Sequence, residues 1–121
     1  MRIMHKVLLS LAANRDQEKN LDEARQRLAQ VLFSLTFSRE LWTEPIGAKR
    51  PDPYLNQIAR GETTLSVEQL QQWFKQTEVD MGRTDQDRRE GIVRIDLDLL
   101  QYDDKRFHLK DWERDYVKAL L

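Results

Sequence analysis

The chain opens on a short apolar run, His5-Lys6-Val7-Leu8-Leu9-Ser10-Leu11, whose length suits a buried strand. A polar turn follows from Asn14 to Asn20. Leu21, Ala24, Leu28 and Val31 then recur at helical spacing, with Asp22, Glu23, Arg25, Arg27 and Gln30 on the other side. That pattern predicts an amphipathic helix over residues 18–31. From Phe33 to Trp42, the apolar Phe33, Leu35, Phe37 and Leu41 alternate with polar residues and predict one half-buried strand. Pro45, Gly47, Pro51 and Pro53 mark an ordered loop. Tyr54 to Thr63 returns as a strand, with Gly61 as a candidate bulge near its end.

Ser66-Val67-Glu68-Gln69 is a capping box, in which the Ser66 oxygen caps the helix and Gln69 reaches back. Val67, Leu70, Phe74 and Met81 line one face of the helix it starts, and Gly82 suits its C-terminal cap. Arg83 to Glu90 is wholly polar and predicts a flexible loop. Ile92 to Leu100 predicts a final strand. Asp111 to Leu121, with Trp112, Tyr116, Val117, Leu120 and Leu121, fits a short helix or an edge strand. The resulting order, β-α-β-β-α-β, predicts an α+β ferredoxin-like domain over residues 1–121. Two helices would cover one face of an antiparallel sheet, leaving the other face free for a ligand or partner.

Composition narrows the chemistry. Twenty Lys and Arg nearly balance twenty-one Asp and Glu over 121 residues, a net charge of -1. Non-specific nucleic-acid binding, which needs excess cationic charge, is therefore not expected. The chain has no cysteine, so disulfides, thiolate metal sites and cysteine nucleophiles are excluded. Its two histidines, His5 and His108, are too few for a three-histidine zinc site. No segment approaches the ~18–20 apolar residues that cross a bilayer. The stretch from Val7 to Ala13 is broken by Ser10 and lacks a cleavage site, so no membrane anchoring, no signal peptide and a cytoplasmic location are expected.

The most informative segment is Ile92-Val93-Arg94-Ile95-Asp96-Leu97-Asp98-Leu99-Leu100. As a strand it places Val93, Ile95, Leu97 and Leu99 on one face and Arg94, Asp96 and Asp98 on the other. The two carboxylates then lie about 7 Å apart along the strand. Such a pair suits a hard divalent cation such as Mg²⁺ with phosphate oxygens. It equally suits a solvated strand face on which Arg94 balances one aspartate. Arg83, Arg88, Arg89 and Arg94 read either as polyphosphate ligands or as partners of Asp85, Asp87 and Glu90. Tyr54 and Asn56 share a strand face: an aromatic plate and an amide that could read a flat heterocycle, or an edge-strand Tyr beside a turn Asn.

Taken in order, these segments resemble the 6-hydroxymethyl-7,8-dihydropterin pyrophosphokinase family. Asn14 with the helix from Leu21 resembles the family's opening strand-loop-helix. Thr43-Glu44-Pro45-Ile46-Gly47 resembles its Thr-Pro-Pro-Leu-Gly loop, and Pro53-Tyr54-Leu55-Asn56 its Asp-Tyr-Leu-Asn segment. Glu78-Val79-Asp80-Met81-Gly82-Arg83 resembles the end of its second helix. Ile95-Asp96-Leu97-Asp98-Leu99-Leu100 resembles its Ile/Leu-Asp-Leu-Asp-Ile-Leu signature, and Arg114-Asp115-Tyr116-Val117 its Arg-x-Phe-Val.

The resemblance implies pyrophosphate transfer from ATP to the hydroxymethyl group of a pterin, in folate biosynthesis, with release of AMP. It implies two Mg²⁺ ions held by Asp96 and Asp98, with Arg89 as a further catalytic residue. It implies that Thr43, Pro45, Ile46, Tyr54, Asn56 and Tyr116 bind the pterin, and that Glu78, Arg83, Arg94 and Arg114 bind ATP.

The chain departs from the family pattern at three places. Ala12-Ala13-Asn14 stands for Gly-Ser-Asn, Val93 stands where the family has an arginine, and the approach Arg89-Glu90-Gly91-Ile92-Val93 lacks a tryptophan. Arg94, one residue along, is the candidate substitute for the missing arginine. These departures support a second reading, a non-catalytic pterin- or small-ligand-binding relative that has lost ATP handling. A third reading, an interaction module using the open sheet face, conflicts with carboxylates standing where an RNA reader presents aromatics.

Overall fold

The computed structural model describes residues 3–45, 47 and 49–121. Its elements run β1 (His5–Ala13), α1 (Gln17–Leu28), β2 (Phe33–Phe37), β3 (Leu41–Thr43), β4 (Tyr54–Thr63), α2 (Val67–Asp80) and α3 (Asp85–Glu90). They continue with β5 (Asp96–Tyr102), β6 (Lys105–Arg106), a 3₁₀ turn (Asp111–Glu113) and α4 (Asp115–Leu120). The strands form one sheet in the order β2-β4-β1-β5-β6, with β3 beside β4, and every pairing is antiparallel. This is the expected α+β ferredoxin-like arrangement, with β1 central.

Strand alternation explains the core. Val7, Leu9, Leu11 and Ala13 of β1 face the same way as Leu55 and Ala59 of β4 and Leu97 and Leu99 of β5. All of these are buried against Leu21, Ala24 and Leu28 of α1 and Leu70 and Phe74 of α2. Burying each leucine fully contributes about 2 kcal/mol. Gln57 also faces the helices, and its amide is satisfied there: Oε1 accepts from Arg25 Nη1 at 3.0 Å and Nε2 donates to the Ser38 carbonyl at 2.8 Å.

The capping box forms as expected. Ser66 Oγ accepts from the Gln69 amide at 3.1 Å and Gln69 Oε1 accepts from the Ser66 amide at 2.9 Å. Gly82 follows the cap residue Met81 at φ 109°, where an added Cβ would lie 3.1 Å from Arg94 Cδ. The irregularity expected near Gly61 lies on its partner β2, where the register shifts between Phe33 and Thr36.

Four expectations are corrected. The strand expected over Phe33–Trp42 is two strands. Between them the Ser38 amide still donates to the Ile58 carbonyl at 2.8 Å, but the Ile58 amide donates to Ser38 Oγ at 2.9 Å, so a side chain takes over one half of the ladder. The loop expected over Arg83–Glu90 contains helix α3. Thr84 Oγ1 caps it by accepting from the Asp87 amide at 3.1 Å, and Gly91 closes it at φ 73°. The strand expected from Ile92 begins only at Asp96. Residues 91–93 are tied instead to Asn14, whose Nδ2 donates to the Gly91 carbonyl (2.9 Å) and whose Oδ1 accepts from the Val93 amide (2.6 Å).

Finally, the second sheet face is not free. The 3₁₀ turn and α4 lie across it, and Val117 and Leu120 are buried with Ile58 and Leu100 beside Leu8, Leu41, Trp112 and Tyr116. The ambiguous C-terminal stretch is therefore helical. Leu100 joins this second cluster by alternation, on the face of Asp96 and Asp98, while Leu99 packs under the helices, and the register then shifts so that Gln101 pairs with Leu8.

Candidate functional site

The half of that face left uncovered by α4 is a cavity of about 760 Å³. Its floor is a cross-strand row. Ala12 of β1 pairs with Asn56 of β4 on one side and Asp96 of β5 on the other, and Ser10 pairs with Asp98 in the next row. Ala12 has no bulk beyond Cβ, so the amide and the carboxylates border the same space. Thr43, Glu44 and Tyr54 form one wall. Asp111, Glu113, Arg114, Asp115 and Tyr116 form the other, carried by the 3₁₀ turn and the start of α4.

Asn56 is buried and its orientation is set by three acceptors. Its Nδ2 donates to Thr43 Oγ1 at 2.8 Å, to the Leu41 carbonyl at 3.1 Å and to the Tyr54 carbonyl at 3.3 Å. Its Oδ1 accepts no hydrogen bond from the described residues and suits a ligand N–H. Tyr54 and Tyr116 both border the cavity, and burial raises both hydroxyl pKa values above the ordinary tyrosine range. The neighbouring carboxylates Asp96 and Asp111 push respectively in the same direction.

The carboxylates repel one another. Burial first, then Asp96, Asp111 and Glu78, push Asp98 up to about 7. His108 Nε2 is 3.8 Å from Asp98 Oδ1 at the solvent side. Two hard oxygen donors with unrelieved negative charge fit a divalent cation, which would stabilise their ionised forms. Among the described residues no three acidic or imidazole groups converge as a metal cluster. The pair therefore suits a cation completed by water and ligand oxygens rather than an all-protein cage.

The structure brings Asp96, Asp98, Thr43, Tyr54, Asn56, Arg114 and Tyr116 to this cavity. Pro45, Glu78, Arg83, Arg89 and Arg94 do not line it, and Ile46 lies outside the described residues. Glu78 sits behind β5, with Oε2 accepting from the Leu97 amide at 2.8 Å and Oε1 accepting from Arg83 at 2.7 Å. Burial, opposed by the Leu97 hydrogen bond and reinforced by Asp96, raises its pKa. Arg94 turns to the buried Asp87, with Nε 2.9 Å from Oδ2, instead of sharing the aspartate face. Arg89 lies in the last turn of α3, and its carbonyl accepts from Lys49 Nζ at 3.0 Å.

Glu44 lines the cavity beside Thr43, as the Thr43–Ile46 loop implies, whereas Asp111, Glu113 and Asp115 are lining residues that the sequence reading misses. The last three flank Arg114 at alternate positions, a signal with no specificity by itself. A second depression of about 660 Å³ lies at the other end of the same face, bordered by Lys6, Leu8, Arg60, Gln101 and Trp112, and holds none of the candidates. No helix among the described residues is long and apolar enough to cross a membrane.

Comparison with known proteins gives the same direction as these residues. The chain is 30% identical over 125 residues to a folate synthesis bifunctional protein of Arabidopsis thaliana, covering 95% of this chain and 26% of that protein. It is 32% identical over 125 residues to the mitochondrial folate synthesis bifunctional protein of Pisum sativum, covering 95% of this chain and 24% of that protein. The chain thus spans about a quarter of the length of these plant relatives. It is 29% identical over 129 residues to a 2-amino-4-hydroxy-6-hydroxymethyldihydropteridine pyrophosphokinase of Porphyromonas gingivalis, covering 95% of this chain and 87% of that protein. The family model for 7,8-dihydro-6-hydroxymethylpterin-pyrophosphokinase matches residues 8–121, so nearly the whole chain, including both walls of the cavity, belongs to that family.

Proposed function

We propose that this chain transfers pyrophosphate from ATP to the hydroxymethyl oxygen of 6-hydroxymethyl-7,8-dihydropterin in folate synthesis, with magnesium, releasing AMP. The observation that carries the reading is the shared cavity floor: Asp96 and Asp98 stand beside Asn56 and between two tyrosines, in a chain of this family.

Asn56 Oδ1 would accept from a pterin ring N–H, held in that orientation by Thr43 and two carbonyls. Tyr54 and Tyr116 would present ring faces to the flat heterocycle from opposite walls. Arg114 would meet a phosphate oxygen. Asp96 and Asp98 would hold magnesium, which when bound supplies positive charge against the phosphates and a Lewis acid at the transferred group. Glu78 acts behind the site by holding the Leu97 amide, between the two aspartates, and so fixing the strand that carries them. In the transfer the pterin hydroxyl oxygen would form a bond to the β-phosphorus as the bond from that phosphorus to the α,β-bridging oxygen breaks, AMP leaving with that oxygen and the hydroxyl proton passing to solvent. Positioning and charge neutralisation are what this chemistry requires of a protein.

The test is an assay of ATP, Mg²⁺ and 6-hydroxymethyl-7,8-dihydropterin that reads AMP release. AMP formed in step with pyrophosphorylated pterin supports the proposal. A folded protein that yields none, beside an active member of the family, rejects it. One observation favours the second reading, a pterin-binding relative without ATP handling: Arg94 is committed to Asp87 and does not replace the arginine absent at Val93. Calorimetry separates the two, because that relative would bind pterin and not Mg²⁺-nucleotide.

A further inference from the structure

Each of three arginines near the site is engaged by a carboxylate. Arg83 Nη1 is 2.7 Å from Glu78 Oε1, Arg94 Nε is 2.9 Å from Asp87 Oδ2, and Arg114 Nε is 3.0 Å from Asp111 Oδ1. The three pairs differ in how readily they can be opened. Glu78 and Asp87 each have side chains 7% exposed, so removing either arginine would strand a buried charge. Asp111 and Arg114 are 23% and 51% exposed, so parting them leaves two groups that water can solvate. Among the described residues Arg114 is also the one cation lining the cavity, whose border otherwise carries Glu44, Asp96, Asp98, Glu113 and Asp115.

We propose that Asp111 is an internal competitor for Arg114 that sets the affinity of this site for nucleotide phosphate. The inference rests on the nucleotide half of the proposed function. Asp111 presents the same kind of charged oxygen to the guanidinium that a phosphate would, from three residues away on one 3₁₀ turn. A phosphate chain gains the Nε edge of Arg114 only by displacing Asp111, and at the Nη groups it still meets Asp111 as a like charge close by. Asp111 thus weakens nucleotide binding and acts as a specificity-determining residue through Arg114.

The experiment is calorimetric titration of the full chain with Mg²⁺ and α,β-methylene-ATP, and separately with pterin. The proteins are wild type, Asp111→Asn, Asp111→Glu, Arg114→Gln and the Asp111→Asn/Arg114→Gln double variant, each checked for an unchanged melting curve. An exposed pair of this strength implies nucleotide binding about three- to fivefold tighter in Asp111→Asn, with Asp111→Glu close to wild type and pterin affinity unmoved. The gain should vanish in the Arg114→Gln background. Unchanged or weaker nucleotide binding by Asp111→Asn, or a gain that survives without Arg114, overturns the inference alone. Absence of nucleotide binding by every form, with pterin still bound, overturns both the inference and the nucleotide half of the proposed function.

Discussion

On the helix-covered side of the sheet, Leu9, Leu11, Leu55 and Leu99 are sealed under α1 and α2, and the polar Gln57 and Thr63, pointing in from β4, have their groups bonded. On the other side the same strands present Ser10, Ala12, Asn56, Asp96 and Asp98, while Ile58 and Leu100, with Leu8 beside them, find apolar cover beneath α4. One residue step along a strand separates the two environments. The helix side gains its stability from apolar burial. The cavity side gives some of that up: it keeps carboxylates close enough to push Asp98 to about 7, with the His108 imidazole 3.8 Å away on the solvent side. A function that needs concentrated negative charge is thus built on a scaffold stabilised from behind.

The largest test of this contrast is removal of a cavity carboxylate. Asp96→Ala and Asp98→Ala should each lower pyrophosphoryl transfer by roughly a thousandfold or more without lowering the melting temperature, read by AMP release and thermal denaturation on the same samples. Retained turnover in both variants would take the aspartates out of the reaction.

Next come truncations on the two sides. Leu9→Ala should cost about 4 kcal/mol in denaturant unfolding, because a fully buried leucine leaves a cavity in close-packed surroundings. Leu120→Ala should cost about 2 kcal/mol, at the lower end of such truncations, because α4 rests on a small cluster. It should also weaken pterin binding, since α4 carries Tyr116. Equal costs for the two would erase the distinction between the faces.

The smallest expected effect is a pH dependence. Asp98 has a raised carboxyl pKa in the folded chain, so the folded state holds its proton where the unfolded state has released it. Stability from this group is therefore undiminished below about pH 4, falls as pH rises toward 7, and stays lowered above that. Asp98→Asn removes the penalty. Without divalent cations it should melt a few degrees above wild type at pH 8, on the order of 1 kcal/mol after solvent screening, with little difference at pH 4. A melting gap that does not widen with pH would mean that Asp98 is not under this strain.

Much of this architecture could be read from residue pattern. The β1 segment is legible from its short apolar run, β4 from its place after the proline loop, α2 from its apolar stripe and the Ser66–Gln69 cap, and Asp96 and Asp98 from their alternation with Leu97 and Leu99. The failures have specific causes. Ile92 and Ile95 are buried as a strand residue would be, but Asn14 supplies the hydrogen bonds that a neighbouring strand would otherwise provide. Helix α3 has no apolar stripe, and the signal it did carry was terminal: Thr84 and Asp87 at its start, Arg88, Arg89 and Gly91 at its end. Which arginine meets which carboxylate depends on contacts between α2, α3 and the strand that follows, and no local pattern encodes that. The acidic wall of the cavity was hidden for the same reason, because Asp111, Glu113 and Asp115 look like ordinary solvated charges until α4 is laid across the sheet.

The fastening of that wall has a consequence for how the molecule should breathe. Trp112 donates Nε1 to the carbonyls of Leu100 and Phe107, and beyond it only Val117 and Leu120 are deeply seated. The last dozen residues can therefore peel away as a unit while the layer behind them stays intact. Because Arg114 and Tyr116 travel with that unit, any occupant they grip also clamps the tail. Amide exchange and proteolytic nicking near the C-terminus should slow as the cavity fills, giving a readout of occupancy that needs no turnover at all.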